Sequence, residues 1–158
     1  MKLVVGLGNP GKQYENTRHN LGFHFVNLLE KEISGPEVAF FKNSSFINEA
    51  GKEVKKTISW HKITLEDVLV VHDDFDLELG QFRVQSNRSS AGHKGVQSVI
   101  DELGSQSFSR LRVGTGHPPA GVEANDYVLG RLSSQEQHVL DSIYPQILTA
   151  VQNWVLKK

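Results

Sequence analysis

Residues 2–20 read KLVVGLGNPGKQYENTRHN. A short apolar run, Lys2 to Val5, leads into Gly6-Leu7-Gly8-Asn9-Pro10-Gly11, a letter-for-letter match to G-x-G-x-x-G. In a dinucleotide-binding fold those glycines open a helix whose amino end faces the pyrophosphate. Here helical spacing, through Leu21, Phe25, Leu28, Leu29 and Ile33, begins only near His19, eight residues after Gly11. Pro10 fixes its own φ and disfavours the α region for Asn9. The acidic residue that should end the next strand about 20 residues on is also missing, because Glu30 and Glu32 fall on the predicted helix. The stretch therefore reads as a strand and a tight turn that presents Asn9 and carries the chain round to His19.

The same alternation continues along the chain. The spacing predicts a helix from about residue 19 to 33, ended by Gly35-Pro36, and a second, more polar helix over Glu49–Trp60. Residues 37–48 read as irregular or weakly extended. Val68-Leu69-Val70-Val71 is a buried strand, Gln81–Gln85 an alternating, exposed one, and Leu111-Arg112-Val113 a further central strand. His93–Leu103 has helical spacing through Val96, Val99, Ile100 and Leu103. Ser133-x-x-Glu136 is a capping box that opens a final helix, predicted to kink near Pro145. Alternating β and α units predict a single-domain, three-layer α/β/α fold over residues 1–158 with a mixed, mostly parallel central sheet.

Composition narrows the chemistry. A chain of 158 residues with 38 % apolar content suits one compact core. There is no cysteine, hence no thiolate metal site and no cysteine nucleophile. No apolar run approaches a membrane span or a signal peptide, so a cytoplasmic protein is expected. The three best strands end in Gly8-Asn9-Pro10-Gly11, His72-Asp73-Asp74 and Gly114-Thr115-Gly116-His117-Pro118. Ligands in open α/β sheets sit beyond the carboxyl ends of the strands, so Asn9, His19, Asp73 and His117 are candidates to converge there.

Four stretches then carry a family likeness: GLGNPGKQYENTRHNLGF, VVHDDFDLELGQFR, AGHKGVQSVIDELG and FSRLRVGTGHP, in that order. Together they resemble the bacterial-type peptidyl-tRNA hydrolases. The resemblance implies a monomeric α/β/α esterase that cleaves the bond between a stalled peptide and the 3′ acceptor end of tRNA, without metal or cofactor. It implies His19 as the base that activates water and Asp73 as the carboxylate that orients it, roles suited to an imidazole that titrates near neutrality. No serine has the strand–turn–helix setting of a nucleophile elbow, so direct attack by water is expected. Asn9 and Asn48, the latter in Phe46-Ile47-Asn48-Glu49-Ala50-Gly51, match positions that hold the peptide or the reacting carbonyl, where an amide can serve an oxyanion. Tyr14 and Phe46 match substrate contacts, and Arg83 and Arg112 match tRNA phosphate contacts. From residue 83 to 112, Arg83, Arg88, Lys94, Arg110 and Arg112 stand against only Asp101 and Glu102, in keeping with a phosphate-binding surface.

Three departures from the family pattern stand out. Lys94 replaces the asparagine of G-H-N-G; it remains a candidate substrate contact but cannot accept a hydrogen bond while charged. The stretch between Pro36 and Phe46 is short, so one or two strands are expected to be absent or remade. The chain ends at Lys158 without the family's usual segment after the last helix. Two rival readings remain: a catalytically impaired RNA-binding relative, and a metal hydrolase built from His72, Asp73, Asp74, His93 and His117. The second lacks any recognised ligand spacing.

Overall fold

The computed structural model describes residues 1–158. Five strands form one sheet in the order β2-β1-β3-β5-β4. They are β1 (Lys2–Gly6), β2 (Val38–Lys42), β3 (Val68–Asp74), β4 (Phe82–Ser86) and β5 (Ser109–Gly114). Four run parallel, and β4 alone is antiparallel, pairing Val84 with Leu111 on β5. The helices are α1 (Leu21–Glu32), α2 (Ala50–His61), α3 (Lys94–Leu103), α4 (Ala124–Val128), α5 (Ser134–Ser142) and α6 (Tyr144–Leu156). No helix is long and apolar enough to cross a membrane.

The period of two along each strand divides the core. Val4, Leu69, Val71, Leu111 and Val113 meet α1, α5 and α6 through Phe25, Leu140, Ile147 and Val151. Leu3, Val5, Val68 and Val70 meet α2 and α3 through Val54, Ile58, Val96 and Val99. This is the expected three-layer arrangement.

Three local expectations change. Residues 37–48 contain β2, an edge strand in parallel register with β1 from Lys2↔Val38 to Gly6↔Lys42. The final helix is two: α5 stops at Ser142, and Pro145 lies in the first turn of α6, where its missing N–H leaves no bond unmade. The capping box is present, with Ser133 Oγ accepting from Glu136 N at 3.1 Å. The five-residue α4 has no counterpart in the sequence reading.

The opening glycines owe their place to a close approach. A Cβ on Gly22, in the first turn of α1, would lie 2.4 Å from the carbonyl oxygens of both Leu7 and Val71. A Cβ on Gly6 would lie 2.6 Å from Gly22 O. Helix α1 therefore rests directly on the ends of β1 and β3. The 3₁₀ turn before it, Arg18–Asn20, is pressed against the carboxyl end of β3.

Candidate active site

That turn buries His19 at 7 % exposure, beside Asp73 at 2 %. His19 Nδ1 lies 3.0 Å from each oxygen of the Asp73 carboxylate. A second histidine, His93, caps α3: its Nδ1 accepts from the backbone N–H groups of Gly95 and Val96, each at 3.1 Å. That nitrogen is thereby unprotonated, so Nε2 carries the ring proton and donates it to Asp73 Oδ1 at 2.9 Å. Asp73, with His93 as a fixed donor on one side, orients His19 on the other through Nδ1–H. The Nε2 of His19 has no partner within the chain. The rings of His19 and His93 are 4.7 Å apart, centroid to centroid.

The electrostatics keep this arrangement charged on the acid and neutral behind it. Burial alone would raise the pKa of Asp73, but electrostatic attraction to the flanking imidazoles of His19 and His93, and their hydrogen bonds, outweigh it and hold the carboxyl well below its usual range. His72 lies behind His93, with ring centroids 4.9 Å apart. Burial, the largest cause, pushes its pKa down to about 3. It is therefore neutral near pH 7 and donates through Nδ1 to Asp73 O at 2.7 Å.

A cavity of about 290 Å³ opens over this group, lined among others by His19, Asp73, His93, Lys94, Asn125 and Val128. Asn9 does not line it. It borders a separate depression of about 480 Å³ with Lys12, Asn20 and Phe23. The Asn9 backbone is clamped by Asn20, whose Oδ1 accepts from Asn9 N at 2.8 Å and whose Nδ2 donates to Asn9 O at 2.9 Å. Asn9 Oδ1 accepts from Ile47 N at 2.8 Å, which leaves its Nδ2 without an intramolecular partner. Asn43 braces the preceding residue in the same way, donating to Gly8 O at 2.7 Å and accepting from Gly8 N at 3.2 Å.

The remaining candidates divide. Tyr14 and Phe46 meet edge to face at 6.4 Å, and Phe46 is 53 % exposed. Asn48, Lys94 and Arg83 are exposed. Arg112 is not free for a phosphate: it is buried, with Nε 2.7 Å from Asp74 Oδ2 and Nη1 2.6 Å from Gln85 Oε1. Its strand is an inner one, between β3 and β4, so a charge there must find an internal partner. His117 does not join the cluster either. Its side chain is 70 % exposed, 3.8 Å from Asp76, and stacks on Phe75 at 5.9 Å.

Sequence reasoning gives no positioning role to His93, Asn20 or Asn43. The potential metal ligands that gather are His19, Asp73 and His93, their ligand atoms within 4.8 Å of one another, rather than the set with His72, Asp74 and His117. Both nitrogens of His93 are already committed to hydrogen bonds, to backbone N–H groups and to Asp73.

A three-layer α/β/α domain with a carboxylate-braced histidine beyond the carboxyl ends of its strands has the equipment of a hydrolase that works through activated water. The peptidyl-tRNA hydrolase family model matches residues 3–158. A peptidyl-tRNA hydrolase of Geobacillus kaustophilus is 40 % identical, over 89 % of this chain and 86 % of that protein. One from Syntrophomonas wolfei is 39 % identical, over 98 % and 93 %. The crystal structure of peptidyl-tRNA hydrolase from Acinetobacter baumannii superposes with a TM-score of 0.89 at 30 % identity, covering 98 % of this chain and 88 % of that one. The chain belongs to the peptidyl-tRNA hydrolase family.

Proposed function

We propose that the chain hydrolyses peptidyl-tRNA, the reaction for which its family is named, at the ester joining the peptide to the ribose of the 3′ acceptor end. His19 Nε2 takes a proton from a water molecule, and the resulting hydroxide adds to the ester carbonyl. Asp73 stabilises the imidazolium through Nδ1–H. Collapse of the tetrahedral intermediate breaks the bond from carbonyl carbon to ribose oxygen, and the imidazolium returns its proton to that oxygen. Free tRNA and a peptide carboxylate leave. The observation that carries this reading is the His19 Nδ1 contact of 3.0 Å to both Asp73 oxygens, which turns Nε2 away from the carboxylate.

Around this pair, the free amide N–H groups of Asn9, and Asn48, serve as donors to the reacting carbonyl or the peptide. Tyr14 and Phe46 contact the terminal nucleotide and first amino acid, Lys94 contributes a cation at the cavity rim, and Arg83 contacts tRNA phosphate. The protein acts as a single-domain cytoplasmic monomer with no metal or cofactor, and an activity unchanged by EDTA is expected. The test is turnover of N-acetyl-aminoacyl-tRNA with free aminoacyl-tRNA spared. Binding of tRNA without turnover would favour the impaired RNA-binding relative instead.

A further inference from the structure

Arg18 precedes His19, and Glu136 is the third residue after the cap of α5, so the capping box alone accounts for Glu136 in the sequence. The fold gives that carboxylate a second partner. Its Oε1 accepts from Ser133 N at 3.0 Å, while Oε1 and Oε2 receive Arg18 Nη2 at 3.1 and 3.0 Å. Arg18 also donates from Nη1 to Tyr127 O at 3.2 Å, and its guanidinium lies over the Tyr127 ring at 4.1 Å. The backbone follows: Arg18 N donates to Gly130 O at 3.1 Å, Leu132 N to Asn16 O at 2.9 Å, and Thr17 bridges Arg131. A Cβ on Gly130 would lie 2.8 Å from Arg18 Nη1, so the 127–132 segment is wrapped closely round this side chain.

That segment continues α4, which supplies Ala124, Asn125 and Val128 to the cavity wall facing His19 and His93. Val128 is the one buried residue of α4. Apolar packing against α4 is therefore thin, and the polar contacts of Arg18 with Tyr127 add to it. Tyr127 Oη adds a tie to Thr115 O at 3.0 Å, at the end of β5.

We infer that Arg18 and Glu136 are positioning residues that set the α4 wall over His19 and so control how tightly the 3′ end of the substrate is held. The inference rests on the proposed hydrolysis at this cavity. Arg18 touches neither the carboxylate nor the imidazole of the reacting pair; it links the turn that carries His19 to the opposite side of the cleft. A single guanidinium–carboxylate pair thus joins helix capping to the width of the active site.

Three variants separate this role from plain stability. Glu136→Gln keeps the capping box, since glutamine serves at the same position, but removes the charge facing Arg18. Glu136→Ala removes both, and Arg18→Lys removes the fork and the stacking. For Glu136→Gln and Arg18→Lys the expected result is a KM for N-acetyl-aminoacyl-tRNA about tenfold higher, kcat within about threefold of wild type, and faster hydrogen exchange at the α4 amides. For Glu136→Ala the same rise in KM is expected, with a lower Tm. Wild-type KM and α4 exchange in Glu136→Gln would overturn the inference, as would a lower Tm with unchanged kinetics. A fall in kcat at unchanged KM would also overturn it, by making the pair a support of His19 alone. If wild-type protein does not turn over the substrate, the functional reading fails, and unchanged α4 exchange in the variants would separately remove the latch.

Discussion

Asp73→Asn is the most informative single change, because the protons around it are assigned by their neighbours. His93 Nδ1 is held unprotonated by two backbone N–H groups, so its Nε2–H must keep an acceptor. In the variant that acceptor can only be the carbonyl oxygen of the introduced amide, whose NH₂ then turns toward His19 Nδ1. His19 must then accept there, its proton moves to Nε2, and the atom meant to take a proton from water no longer can. A wrong tautomer of this kind lowers kcat in hydrolytic triads on the order of 10⁴-fold, or ~5.5 kcal/mol in the barrier. Asp73 is 2 % exposed, so little of it meets substrate and KM should change less than about threefold. The fold should lose no more than about 2 kcal/mol, since each buried group finds a partner. Steady-state kinetics on N-acetyl-aminoacyl-tRNA, with thermal unfolding as the control, measures all three. A folded variant that keeps kcat within about tenfold of wild type would refute the assignment of protons and the role of the carboxylate.

Other perturbations separate the remaining groups. His72 is held neutral in the fold, its pKa pushed to about 3, and takes up its proton on unfolding. Its contribution to stability is complete above the unfolded value near 6.5 and is lost as pH falls toward 3, about 2 kcal/mol by pH 5. Denaturant titrations across pH should show that slope, and His72→Asn should flatten it. Arg83→Ala should weaken substrate binding and reduce the salt dependence of KM by about one phosphate contact, whereas Arg112→Ala should act mainly through stability, leaving Asp74 unpaired. Lys94→Asn should raise KM about three- to tenfold if the cation at the cavity rim contacts the nucleic acid; a lower KM would show that lysine weakens binding there.

The layers, and the approach of His19 to Asp73, are legible in the sequence because their signals are strong. The Val68–Val71 run and the helical spacing after His19 follow from core burial, and the mostly exposed stretch from Gly11 to Asn16 shows as a gap in that spacing. Strand β2 escapes notice because Val38–Phe41 are only half buried and do not alternate. Helix α4 has five residues and one buried side chain, too few to leave a periodic trace. His93 gives no sign of its dual role, since histidine is not among the favoured helix caps and its Asp73 contact spans 20 residues. Arg112 could have been read correctly: on an inner strand, between Leu111 and Val113, an arginine has little route to solvent. Asn20 and Asn43 lie outside regular strands and α-helices and act on backbone atoms, 11 and 35 residues away, that no sequence pattern connects.

Whether His19 drives ester hydrolysis is decided by adding purified wild type and His19→Ala to N-acetyl-aminoacyl-tRNA and measuring the rate at which free tRNA appears. Rapid hydrolysis by the wild type is expected, with a loss on the order of 10²–10⁴-fold in a folded His19→Ala variant. Near wild-type turnover by that variant, or none by either protein, would contradict the role given to His19.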